Sequence, residues 1–137
     1  MNINIIELQK HGDERGALVS LEYQKNIPFE IKRVYYIFDT QEKVIRGYHA
    51  HKRLKQIAIC IKGECKFLLD NGVERISINL NEPSQGLLIE SFIWREMYDF
   101  SPDCVLLILA DEVYDEADYV RDYDSFKAMN LESKKDE

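Results

Sequence analysis

Residues 46–63 read RGYHAHKRLKQIAICIKG, with His49 and His51 one residue apart and Arg46, Lys52 and Arg53 close by. In a strand, residues two apart share a face, so both imidazoles aim the same way. Arg53 shares that face if the strand continues, while Arg46, Tyr48 and Lys52 fall on the other face or at the strand's mouth. Three readings compete: two ligands for a divalent metal, two proton-transfer groups, or two exposed histidines on a half-polar strand. Two imidazoles in register with three cations around them favour a site.

Bulk composition narrows the function classes. The chain has 137 residues, 45% of them apolar, which suits a single domain (1–137) with a sizeable core. The formal net charge of -7 argues against nucleic acid, because gripping a phosphate backbone takes a wide basic face. A local basic pocket for one small anion remains compatible with that charge. The start, MNINIIELQKHGDERG, lacks a basic segment followed by a long apolar one, so no secretory signal is expected. The longest apolar run, Cys104–Ala110, falls far short of the ~20 residues that span a bilayer. Cys60, Cys65 and Cys104 lie in strand-like stretches, and their odd number without a signal fits reduced core thiols in the cytoplasm.

Among the elements that must position the histidines, short runs rich in Val, Ile, Tyr and Phe dominate, punctuated by turns. Expected strands are Asn2–Glu7, Ala17–Glu22, Arg33–Phe38, Ile45–His51, Gln56–Ile61, Lys66–Leu69, Arg75–Leu80, Gly86–Ile89, Ile93–Phe100 and Val105–Ala110. Asp70-Asn-Gly72 between two such runs predicts a hairpin, because Asn and Gly tolerate positive φ. Tyr119, Val120, Tyr123, Phe126 and Met129 recur at helical spacing, which predicts a short C-terminal helix. The charged residues Glu132 to Glu137 are expected to fray. The acidic run Asp111–Asp124 reads as a solvated face. The pattern is all-β, a jelly-roll barrel or sandwich closed by that helix.

The wider spacing resembles the first motif of the cupin superfamily: Gly47, His49, His51, then position 56, then Gly63. A second motif falls on Pro83-Ser-Gln-Gly86 and the stretch through Trp94-Arg95-Glu96. The resemblance implies a jelly-roll barrel with the site in its mouth. Metal-binding cupins carry Glu and His where this chain has Gln56 and Arg95. Gln is a poor ligand and a guanidinium repels a cation, so no metal is expected and a metal-dependent oxygenase is disfavoured.

A closer resemblance rests on PFEIKRVYYIFDT (28–40), RGYHAHKRLKQ (46–56), WREMYDFSPDCVLLILA (94–110) and DEVYDEADYVRDYDSF (111–126). Together these are similar to the sugar 3,4-ketoisomerases, which act on dTDP-4-keto-6-deoxyglucose. The resemblance implies a cofactor-free isomerisation that moves the ketone from C4 to C3 through an enediol. A 3-aminotransferase then makes a 3-amino-3,6-dideoxy sugar for a surface glycan such as a lipopolysaccharide O-antigen. It implies His49 and His51 as catalytic, with His51 serving carbon and His49 the oxygens, a division the residues alone leave open. The diphosphate needs cations, for which Arg15, Arg46 and Lys52 are candidates, and the thymine a flat wall, for which Tyr35, Tyr36 and Phe38 are. Arg33, Arg95 and Tyr98 complete the expected substrate-binding set, and the resemblance implies a homodimer. A nucleotide-sugar 3,5-epimerase and a non-catalytic sugar-binding cupin are the alternatives; the epimerases carry one histidine near this place, not H-x-H. At C4, galacto-forming members resemble Arg15 with a His at position 95, and gluco-forming members a Tyr at 15 with Arg95. This chain has one residue of each pattern.

Overall fold

The computed structural model describes residues 1–135, and up to residue 110 it consists of strands joined by turns and loops. One five-stranded sheet runs in the order β1 (Asn4–Glu7), β9 (Gln85–Ile89), β6 (Gln56–Lys62), β11 (Val105–Ala110), β4 (Arg33–Ile37). The second runs β12 (Tyr119–Val120), β5 (Arg46–His51), β10 (Trp94–Tyr98), β7 (Cys65–Asp70), β8 (Arg75–Leu80). All pairings within both sheets are antiparallel.

Burial explains why the middle strands read as unbroken apolar runs. Alternate residues of β6 enter two different cores. Ala58 and Cys60 face the space between the sheets, among Phe67, Leu80, Leu87, Leu106 and Ile108. Ile57 and Ile59 face outward, under Leu8, Ile27 and Phe29 from the N-terminal segment. A strand covered on both sides needs no polar alternation. A third cluster, Ala50, Trp94, Val120 and Phe126, seats helix α1 (Tyr123–Lys135) against β5 and β10.

The hairpin at Asp70-Asn-Gly72 forms as expected. Gly72 takes φ 91°, Asp70 Oδ1 accepts from its N–H, and Asn71 Oδ1 accepts from the amides of Val73 and Glu74. Several expectations need correction. The first strand is confined to Asn4–Glu7 and pairs with β9 of its own chain. The Ala17–Glu22 run yields only β3 (Gly16–Val19), which pairs with an unanticipated β2 (Lys10–Asp13) in a separate exposed hairpin. Tyr119 and Val120 are not helical: they pair with His51 and Ala50 of β5. A 3-10 turn at Glu116–Asp118, capped by Asp115, leads the chain into that pairing. The helix starts only at Tyr123, after Asp122, whose Oδ2 accepts from the Ser125 amide at 3.0 Å. Of the charged end, residues 136 and 137 lie outside the described residues.

Candidate active site

The histidine strand begins with a distortion. Gly47 has φ 92° and Tyr48 φ 57°, and the register against β10 slips between Arg95 and Glu96. Tyr48 is thus the extra residue of a β-bulge. A Cβ at position 47 would stand 2.9 Å from the Arg95 carbonyl oxygen, so only glycine lets the two strands approach. Beyond the bulge His49 and His51 share a face, with ring centroids 4.9 Å apart, edge to face. The Tyr119 ring packs against both, 5.0 Å from His49 and 4.4 Å from His51.

His51 is wholly buried, and its Nδ1 lies 3.1 Å from Asp118 Oδ2. Asp118 is itself fixed by the amides of Arg53 (2.8 Å) and Leu54 (3.3 Å). An ionised carboxylate only accepts, so Nδ1 carries the hydrogen and Nε2 presents its lone pair. That Nε2 is buried without a protein partner. Burial, then the Arg95 guanidinium, pushes His49 down to about 4. The same two causes, in the same order, lower His51. Both imidazoles are therefore neutral at neutral pH.

Arg95 enters the barrel beside them, 1% exposed. It donates to Gln56 Oε1 at 2.5 Å and to the Ile93 carbonyl at 2.9 Å, while its Nε has no protein partner. Gln56 in turn donates to the Tyr35 hydroxyl at 3.0 Å. Burial lowers Arg95 to about 10, which leaves it charged. Gln56 and Arg95 therefore bind each other at the two positions where metal cupins keep ligands, and the fixed positive charge opposes a cation there.

A pocket of about 630 Å³ opens over this floor, lined by Arg33, Tyr35, Ile37, Arg46, His49, Met97, Tyr119 and Arg121 among others. Four of the sequence-predicted residues (Arg33, Tyr35, Arg46 and His49) line it, and His51 and Arg95 lie buried behind its wall. The structure does not bring Arg15, Lys52 or Tyr98 there. Arg15 sits in the exposed β2–β3 turn, paired to Asp13 at 2.7 Å. The Lys52 amide donates to the Asp118 carbonyl, and its side chain is outside the pocket lining. Tyr98 alternates away from Arg95 and Met97 along β10, and its hydroxyl donates to Ser77 Oγ at 2.8 Å.

Sequence reasoning missed Asp118, Tyr119 and Arg121. The acidic run read as solvated, yet Asp118 is 4% exposed. Arg121 stacks 4.2 Å above the Tyr119 ring and pairs with Glu116 at 2.8 and 2.9 Å. Glu116 is lowered to about 2, first by the Arg121 hydrogen bonds and then by that of Tyr114. No local spacing points to these residues, because Asp118 meets His51 across 67 positions of sequence.

A family model described as "FdtA: WxcM-like, C-terminal" matches residues 1–131. The chain belongs to the FdtA family of sugar 3,4-ketoisomerases. It is 49% identical over 136 residues to the TDP-4-oxo-6-deoxy-alpha-D-glucose-3,4-oxoisomerase of Aneurinibacillus thermoaerophilus, covering 96% of this chain and 98% of that one. The crystal structure of QdtA, a sugar 3,4-ketoisomerase from Thermoanaerobacterium thermosaccharolyticum in complex with TDP, superposes with TM-score 0.94 at 45% identity, covering 96% of each chain. The WlaRB TDP-quinovose 3,4-ketoisomerase of Campylobacter jejuni follows with TM-score 0.89 and 48% identity, over 93% of this chain and 98% of that one. FdtA-family membership over this span agrees with the all-β jelly roll, and it favours ketone migration over the epimerase and binding-protein alternatives.

Proposed function

We propose that the chain converts dTDP-4-keto-6-deoxyglucose to the 3-keto isomer by proton transfer between its histidines and the sugar. The observation that carries this is the Asp118–His51 pair. It leaves a neutral imidazole with a bare Nε2, buried directly beside His49, which itself lines a pocket with an arginine-bearing wall.

The C4 ketone acidifies the proton on C3. A neutral imidazole removes it, which costs little because the base starts unprotonated. Charge then grows on the enediolate oxygens, and the Arg95 guanidinium, already desolvated and with an unused Nε, is suited to stabilise it. Proton delivery to C4, with loss of the O3 hydroxyl proton and protonation of O4, completes the transfer. Oxidation levels at C3 and C4 are exchanged, so the chemistry requires no redox cofactor. His51, oriented by a carboxylate, suits carbon acid–base work; His49, on the pocket wall, suits the oxygens. Arg33, Arg46 and Arg121 supply cations for the diphosphate, with Tyr35 as a flat neighbour for the thymine.

The enzyme acts as a cytoplasmic homodimer, and its product feeds a 3-aminotransferase in the making of a surface glycan. Three unpaired cysteines support a reducing compartment. The exposed β2–β3 hairpin carrying Arg15 and Leu18 supports association, since a free two-stranded ribbon is marginal alone. Sedimentation at micromolar protein should give the mass of two chains, and a monomer mass rejects the dimer. Incubation with dTDP-4-keto-6-deoxyglucose, coupled to a 3-aminotransferase, should yield the 3-amino sugar. Dialysis against EDTA should leave that yield unchanged. No amino sugar above the enzyme-free control rejects the proposal.

A further inference from the structure

At the end of the barrel away from the histidines, three thiols meet. Cys60 lies four residues along β6 from Gln56, Cys65 opens β7, and Cys104 immediately precedes β11. Each is 1% exposed or less, and the three Sγ atoms all lie within 4.8 Å of one another, with Cys60 and Cys104 at 3.7 Å. Among the described residues they are the one group of three or more His, Cys, Asp or Glu side chains close enough to share an ion. The proton chemistry proposed for the histidines uses none of them.

The surroundings are apolar and closed. Phe67, Phe100 and Leu106 share the cluster's core. The β6–β7 turn and the Ser101–Asp103 loop lock over it: the Ser101 amide donates to the Glu64 carbonyl and the Glu64 amide to Ser101 Oγ, both at 2.9 Å. Gly63, with φ 72°, permits this, because a Cβ there would fall 2.2 Å from Ser101 Oγ. Burial pushes Cys104 up to about 12, while the hydrogen bond with Cys65, opposed by burial, brings Cys60 down to about 7, so one thiol of the three gives up its proton most readily. Cys60 Sγ donates to the Lys62 carbonyl at 3.2 Å, which adds no charge, and the negative charge of Asp103 acts to raise both Cys60 and Cys104, so the surroundings oppose any net anionic site.

Charge balance then selects the ligand. Three thiolates around a divalent ion leave one net negative charge in the core; around a monovalent ion they leave two. A trivalent ion leaves none, and thiolate sulfur prefers soft centres. Sulfurs bonded at about 2.3 Å to one centre stand within about twice that distance of each other. The thiols are close to that spacing already. We infer that Cys60, Cys65 and Cys104 form a three-thiol site for a trivalent thiophilic ion of the arsenite type. Arsenous acid, As(OH)₃, loses its three As–O bonds and gains three As–S bonds. The three thiol protons leave with the hydroxides as three waters, and nothing is oxidised or reduced.

The test uses the reduced full-length protein and sodium arsenite, incubated to a plateau and, in parallel, refolded from urea with arsenite present. Native mass spectrometry should show one arsenic per chain, with a mass gain of one arsenic less three hydrogens. Zinc chloride at the same concentration should give at least tenfold lower occupancy. Cys65→Ala and Cys104→Ala should each lower arsenic occupancy at least tenfold at the level that half-saturates the wild type. Arsenic retaining a hydroxyl, arsenic absent even after refolding, or zinc bound equally well would overturn the inference. So would undiminished occupancy in either variant. Should one variant fail to fold, the other variant and the wild-type mass still decide.

Discussion

At the scale of the residue, what distinguishes His51 from an ordinary core histidine is its partner. Asp118 fixes the tautomer, and burial keeps the ring neutral. His51→Asn should abolish turnover, with nucleotide-sugar binding within a few-fold of wild type, and His49→Asn should cripple it. Loss of one acid–base group costs roughly 10²–10⁴-fold. Asp118→Asn should lower kcat on the same order while KM holds, because the amide favours the wrong tautomer. Steady-state kinetics with binding titrations check all three, and near-normal rates in both histidine variants would remove the pair from the mechanism. The depressed imidazoles also fix the pH response. Each binds a proton in the unfolded chain near pH 6.5 but resists it when folded, His49 down to about 4. Between those values the unfolded chain holds more protons, so stability falls as the pH falls through that window. The base likewise stays available, so the acid limb of kcat/KM should lie below 6.5. A limb at or above 6.5 would mean that the imidazoles are solvated in the working enzyme.

At the scale of the element, the site depends on a bulge. Gly47 allows β5 to approach β10 at the point where the register slips beside Arg95. Gly47→Ala meets both a positive φ and a backbone oxygen at 2.9 Å, so it should destabilise by about 1–3 kcal/mol and misplace His49. Thermal unfolding together with kcat reads both effects; a variant with wild-type melting and rate contradicts the role given to the bulge. Much of the element pattern was legible in the sequence, since period-two runs and turn residues act locally. β8 and β11 fall on Arg75–Leu80 and Val105–Ala110 as the pattern predicts. The H-x-H face was legible for the same reason. Helical spacing misled at Tyr119 and Val120, where long-range pairing with β5 overrides a local preference. Asp118 was illegible because its burial is decided by where the chain returns, not by its charged neighbours.

At the scale of the whole molecule, the two positions that the family resemblance ties to the outcome at C4 lie in separate parts of the fold. Arg95 lies inside the barrel beside the histidines, and Arg15 sits on the exposed hairpin. Which face of the enediol is reprotonated depends on how the ring is held, and ~1.4 kcal/mol between two transition states is a tenfold product ratio. With one determinant of each kind, a mixture of C4 epimers is expected in the trapped 3-amino sugars. A single epimer by NMR would show that one position dominates.

The most direct test of the central claim follows dTDP-4-keto-6-deoxyglucose by NMR in deuterated buffer with the purified enzyme. Proton transfer confined to C3 and C4 predicts that the carbonyl signal moves from C4 to C3 while the C5 proton is retained. His51→Asn protein should bind the sugar nucleotide and leave the spectrum unchanged. Deuterium entering at C5, or isomerisation persisting in that variant, would contradict the account.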